Sequence, residues 1–176
     1  MAVTPPEAVR AQLHAYATSL AHPSLRVVPA ETLHVTVLFL GSVGLDAIDE
    51  LAGLLAGVAA REPPLALTVR HAAPGPPRRP SMLWGEVTGG EPLLRLSLAM
   101  HAVSARLAPH LARPLRDPHV TLARGRRPLR GVERAAIGLD PDVFQVGEAR
   151  LIRSRLSPRG ARYETVAALP LDVTER

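Results

Sequence analysis

Two segments of this 176-residue chain, 85 residues apart, repeat one short pattern: Leu33-His34-Val35-Thr36-Val37-Leu38 and Pro118-His119-Val120-Thr121-Leu122-Ala123. In an extended strand the side chains at i and i+2 share a face. Each segment therefore sets an imidazole and a hydroxyl on one side and aliphatic groups on the other. A core strand does not need such a polar face, which has to meet water, partners or a ligand. Two strands of this kind, one in each half of a duplicated chain, can build a polar cleft.

The remaining sequence supplies elements to carry those strands. Pro5 and Pro6 suit a helix start, and Val9, Leu13 and Leu20, with Tyr16 and Ala17 filling the stripe, predict a helix over 5–20. The apolar run 33–40, ending at Gly41, predicts a buried strand. A second helix is expected over 46–60, its first turn carrying Asp46, Asp49 and Glu50 where the helix dipole favours negative charge. Strands are predicted over 65–69 and 81–87, separated by a proline-rich loop over 74–80. Residues 92–107 are helical in length but apolar on all sides, which predicts a buried helix. Strands then follow over 119–123, 144–152 and 162–169, with a turn at 158–160. Strands adjacent in sequence without an intervening helix argue for antiparallel pairing, so the expected class is α+β in a single domain over 1–176.

Composition excludes several chemistries. The chain has no cysteine, which removes disulfides, thiolate metal sites and cysteine nucleophiles. All 21 basic residues are Arg, so no lysine is available for a phosphate loop or a Schiff base. The net charge of +5 is compatible with phosphate recognition, but a GC-rich genome gives the same arginine bias, so only placed arginines carry meaning. No apolar run approaches the roughly 18 residues of a membrane span, and the start lacks a secretory pattern. A cytoplasmic monomer is the expectation.

The paired motif suits attack on phosphorus. In-line displacement needs a base beside the incoming oxygen and an acid beside the departing one, and imidazole serves both near neutral pH. Threonine hydroxyls can hold the non-bridging oxygens between them. With seven His, one His-x-Ser/Thr triplet is expected by chance alone, on the order of 0.7 per chain of this composition. His22-Pro23-Ser24 is such an accident. The pair at His34 and His119 differs because both copies sit in strand-like runs and share His-Val-Thr.

These motifs resemble those of the 2H phosphoesterase superfamily, and within it the bacterial RNA 2′,3′-cyclic phosphodiesterases, also called LigT-like 2′-5′ RNA ligases. The segment from Leu33 to Gly41 is similar to the first motif and its flank, and Pro118 to Arg124 to the second. Ser154, Leu156, Gly160 and Tyr163 resemble the family's closing hairpin. Two departures are a first strand shortened to Ala2 and Val3, and Leu115 and Asp117 in place of the usual residues before the second motif.

The resemblance implies a bilobal fold, two pseudo-symmetric antiparallel sheets flanked by helices with a central cleft, and no metal or other cofactor. It implies hydrolysis of RNA 2′,3′-cyclic phosphate ends to 2′-phosphomonoesters, with His34 as proton donor and His119 as proton acceptor. From the residues alone a symmetric pair works in either direction. The implied partners are RNA with a cyclic phosphate end, tRNA halves or small cyclic nucleotides, and reversible 2′-5′ joining is an implied side reaction. The alternatives are a phosphodiesterase for a small cyclic nucleotide or an ADP-ribose cyclic phosphate, and a non-catalytic nucleotide-binding module.

Thr36, Thr121, Arg124 and Phe39 complete the expected substrate site. Phe39 and Arg124 each lie five residues beyond a motif histidine, and a flat ring and a flat guanidinium can stack on a nucleobase. Strict alternation puts both on the face opposite the histidines, so each requires a bulge after its motif; for Phe39 a core position is the equal alternative. Arg78, Arg79, Arg126, Arg127 and Arg130 read as solvated surface that can guide a polyanion. Trp84 can stack a base, but in a strand the commoner reading is a core residue, and His14, His22, His71, His101 and His110 carry no partner pattern.

Overall fold

A computed structural model describes the chain except for residues 89, 109, 112, 126, 127, 130, 158, 159 and 173–176, with backbone alone at 156, 157, 160 and 161. The expected turn at 158–160 and the arginines at 126, 127 and 130 therefore lie outside the described residues or at their margin. The fold is α+β. The strands in chain order are β1 (Ala2–Val3), β2 (Leu25–Val27), β3 (Val35–Thr36), β4 (Leu65–Gly75), β5 (Met82–Thr88), β6 (His119–Gly125), β7 (Ala135–Ala136), β8 (Phe144–Val146), β9 (Glu148–Ser157) and β10 (Gly160–Pro170). The helices are α1 (Glu7–Ser19), α2 (Ile48–Ala59) and α3 (Glu91–Ser104).

Every strand pairing is antiparallel. The main path runs β10-β9-β1-β3-β6-β5-β4-β7, with β2 attached to β6 and β8 to β4. The two expected sheets are two wings of this one sheet. A motif strand ends each wing, and they meet through the pair Val35↔Val120. On the far side from the imidazoles, Val3, Val35 and Val120 are fully buried in a core shared with the helices.

The helices bury the stripes that their spacing allows. In α1 the buried residues are Val9, Leu13 and Ala17, four apart; Leu20, expected on that stripe, falls past the helix end and is exposed. In α2 they are Leu51, Leu55 and Ala59. Helix α3 is not buried all round: Leu93, Leu96, Ser97, Met100 and Ser104 face the core while Leu98 is exposed. Its serines complete a stripe that a hydrophobicity count misses. No helix among the described residues is long and apolar enough to cross a membrane.

Three strand boundaries differ from expectation for physical reasons. The run 33–40 keeps only two residues in the sheet, because the chain then bulges onto β1. Strand β4 continues through Pro74 to Gly75. Its β7 partner reaches only Ala72, so Pro74 needs no donor on that side. The run 144–152 is cut at Gly147: β8 pairs with β4 in one wing, and β9 pairs with β1 and β10 in the other. One apolar run thus serves both wings.

Candidate active site

At the seam, Val35 opposite Val120 puts His34 beside Thr121 and Thr36 beside His119, all four on one face, since facing residues of an antiparallel pair point the same way. All four are partly buried. His34 and His119 are then diagonal neighbours, about 7–8 Å apart by sheet geometry with their Cβ atoms somewhat closer. That spacing leaves room for one tetrahedral group between the rings.

Both rings are fixed in the same way. His34 Nδ1 lies 2.8 Å from the Thr32 carbonyl oxygen, and His119 Nδ1 lies 2.8 Å from that of Asp117. A carbonyl only accepts, so each Nδ1 carries a hydrogen and each Nε2 is left to face the cleft. Burial holds both imidazoles below their ordinary value of 6.5. The backbone bonds oppose that shift, and the Arg124 charge adds to it at both rings. For His119 the Asp117 carboxylate is a further opposing influence.

An aromatic ring from another strand touches each imidazole. Trp84 on β5 stacks on His119 with centroids 3.9 Å apart and planes at 14°. Tyr163 on β10 meets His34 edge to face, at 5.1 Å and 72°. Trp84, expected in the core, is instead partly buried on the cleft face, because β5 pairs it with Thr121. Register is a tertiary property, and no local signal in the sequence announces it. Tyr163 belongs to the hairpin that the resemblance singled out; Leu156 and Gly160 of that hairpin are described only in backbone.

Both motifs are followed by the bulge that stacking groups would need. After Thr36, the Val37 and Leu38 amides both donate to the Met1 carbonyl, at 2.9 and 3.3 Å, and both side chains are buried. The alternation slips by one residue, so Phe39 is 68% exposed rather than in the core. It lines a cavity of about 770 Å³ together with His34, Thr36, Ser154 and Tyr163. After Thr121, the β5–β6 register skips Leu122; Leu122 and Ala123 are both buried, and Arg124 emerges exposed. Its charge reaches both imidazoles.

A buried serine ties the two motif segments together. Ser97 Oγ on α3 donates to the Val37 carbonyl at 2.7 Å and accepts from the Leu115 amide at 2.9 Å. One residue thus anchors the chain just after His34 and just before His119. Its place in an apolar helix hid it from sequence reasoning. Among the other histidines, His14 bonds the Val28 carbonyl through Nδ1, and His110 sits at the cavity edge against Gly41. Among the described residues, no three His, Asp or Glu side chains converge as metal ligands would.

An antiparallel sheet with imidazole and threonine paired at its seam is an arrangement suited to phosphoester chemistry, and the comparisons point to proteins of that class. Residues 3–84 match the family model described as LigT like Phosphoesterase. The crystal structure of TT0787 from Thermus thermophilus is similar over 99% of this chain and 97% of that one, with a TM-score of 0.84 and 28% identity. The chain is thus similar to the LigT-like phosphoesterases, through the family model over residues 3–84 and through the fold over nearly its whole length.

Two relatives carry a more particular name, RNA 2′,3′-cyclic phosphodiesterase. The Thermus thermophilus protein is 29% identical over 178 residues, 97% of this chain and 88% of that one. The Geobacillus stearothermophilus protein is 30% identical over 145 residues, which is 80% of this chain but 46% of the relative, so the chain spans about half of that protein's length.

Proposed function

We propose that this protein opens 2′,3′-cyclic phosphate ends of RNA to 2′-phosphates without a metal, using His34 as acid and His119 as base. The observation that carries the reading is the square of His34, Thr121, Thr36 and His119 on one sheet face, with both Nδ1 atoms tied back to carbonyls. The names of the two relatives favour a cyclic phosphate as substrate.

In this mechanism the cyclic phosphate sits between the two rings, and Thr36 and Thr121 donate to its non-bridging oxygens. Water attacks phosphorus in line with the 3′ oxygen. His119 Nε2 takes the water proton as the new P–O bond forms, and His34 Nε2–H gives a proton to the 3′ oxygen as the old one breaks. The product is a 2′-phosphate with a free 3′-hydroxyl, and the pair is left with its protons exchanged. A 5′-hydroxyl in place of water gives a 2′-5′ linkage through the same transition state, which accounts for reversible joining of RNA ends. Arg124 offsets the phosphate charge, and the terminal base rests against Phe39 and Tyr163 at the cavity beside His34.

The test incubates purified protein in EDTA with a 2′,3′-cyclic nucleotide and with an oligonucleotide bearing the cyclic end. The expected product is the 2′-phosphate in both cases. His34→Ala and His119→Ala are each expected to lose about 10²–10⁴-fold in rate. Full activity in both variants, or activity abolished by EDTA, refutes the mechanism.

A further inference from the structure

Trp84 is the one tryptophan of the chain, and it is held in an unusual way. One face of its indole carries the His119 ring at 3.9 Å. On the other side lies Gly75 of β4, where a Cβ would stand 2.2–2.4 Å from the indole atoms Cδ2, Cε2 and Cε3. Those three atoms meet at the ring fusion, so the approach is onto the face. An atom that close on the His119 side would fall between the stacked rings and strike the imidazole, so Gly75 backs the opposite face. The indole is clamped between a backbone without a side chain and an imidazole.

The clamp is not explained by the indole nitrogen. Among the described residues Trp84 Nε1 is buried without a hydrogen-bond partner, a cost that the nitrogen itself does not offset, so the placement of the ring serves its face. Resting on the proposed acid–base reading, we propose that Trp84 is the positioning residue of His119: its π face fixes the plane of the imidazole and stabilises the ring when it takes on a proton. An aromatic face attracts a cation lying over it, and a base becomes cationic as it accepts the proton of the attacking water. His34 differs: among the described residues its aromatic contact is Tyr163, T-shaped rather than stacked.

The charged groups facing His119 are Asp117 before it, Arg124 at the end of its own strand, His34 across the seam, and Glu86 directly opposite on β5. Glu86 is already ion-paired to Arg134 at 2.8 Å, and His71 stands next to it on β4. None of these lies over the imidazole as a flat neutral surface, so the indole contribution is separable from theirs.

A lone tryptophan stacked on a histidine reports that histidine's protonation, because imidazolium quenches indole fluorescence and neutral imidazole does so far less. Emission of the intact protein is expected to fall as pH is lowered from about 8 to 5, the range in which histidine titrates. The transition should vanish in His119→Ala and persist in His34→Ala. Trp84→Leu is expected to lower kcat by about 2- to 30-fold, the range of one cation–π contact, with KM little changed. The acid limb of its pH–rate profile should move to lower pH, and Trp84→Phe should restore most of the rate and the limb. Emission independent of pH, or the same transition in His119→Ala, overturns the proposal. So does a limb that moves to higher pH, which would mean that the indole acts only by burying the ring. If His119→Ala retains full activity while the fluorescence transition tracks His119, the catalytic reading has failed and the stack has not; if His119→Ala is inactive and Trp84→Leu is kinetically normal, only the positioning role has failed.

Discussion

Replacing Ser97 by Ala removes a side chain that joins the flanks of both motifs. The hydroxyl is fully buried and makes two bonds, to the Val37 carbonyl and from the Leu115 amide. A buried polar group left without a partner costs about 1–3 kcal/mol. Val37 is itself buried, so its carbonyl bears a large cost, whereas Leu115 is partly exposed and its amide can recover water. The sum is about 2–4 kcal/mol, which for a domain of this size lowers Tm by about 4–16 °C. Urea unfolding should show a lower midpoint with an unchanged slope, since the surface exposed on unfolding is the same. Below Tm the slackened flanks let the two imidazoles drift, and a misplacement near 1 Å costs about 10²-fold, so kcat/KM should fall toward that limit. A Tm within about 2 °C of the parent, less than 1 kcal/mol on that scale, would refute the tie.

The other predictions test the electrostatics and the clamp. The Arg124 charge lowers the proton affinity of both His34 and His119, so in Arg124→Gln both limbs of the bell-shaped kcat/KM profile should move to higher pH, with weaker substrate binding; an unmoved profile contradicts that placement. Because burial holds both imidazoles below 6.5, the unfolded chain binds more protons than the folded one just below that value. This contribution to stability is present above 6.5 and is lost as pH falls toward the folded values. Thermal scans should show Tm declining from pH 7 to 5.5, and declining less in His34→Gln/His119→Gln. In Gly75→Ala the indole must give way by about 1 Å to reach ordinary contact, so a stability loss of about 1–3 kcal/mol should come with a disproportionate drop in kcat, measured on the cyclic nucleotide; unchanged kinetics would show that the ring has room to move.

Much of the site could be read before the fold was known. Strand alternation alone put His34 with Thr36 and His119 with Thr121, because period-two geometry is local and survives almost any tertiary context. It also showed that Phe39 and Arg124 could join them only if the alternation broke. Both breaks exist, but their cause is distant. Met1 captures two successive amides after the first motif, and β5 pairs across an extra residue after the second. The shift of Trp84 from expected core to clamp has the same origin, since a strand's register against its neighbour is absent from the strand's own sequence.

The sequence by itself determined the three helices, most of the strands and the chemical character of the two polar faces, because each follows from short-range spacing and side-chain chemistry. Only the tertiary structure decided that Val35 meets Val120, which turns two separate polar faces into one square, that Trp84 and Tyr163 converge on it, and that Ser97 ties its flanks from the helix side. Those contacts join residues tens of positions apart, and their geometry is set by packing of the whole sheet rather than by any local preference.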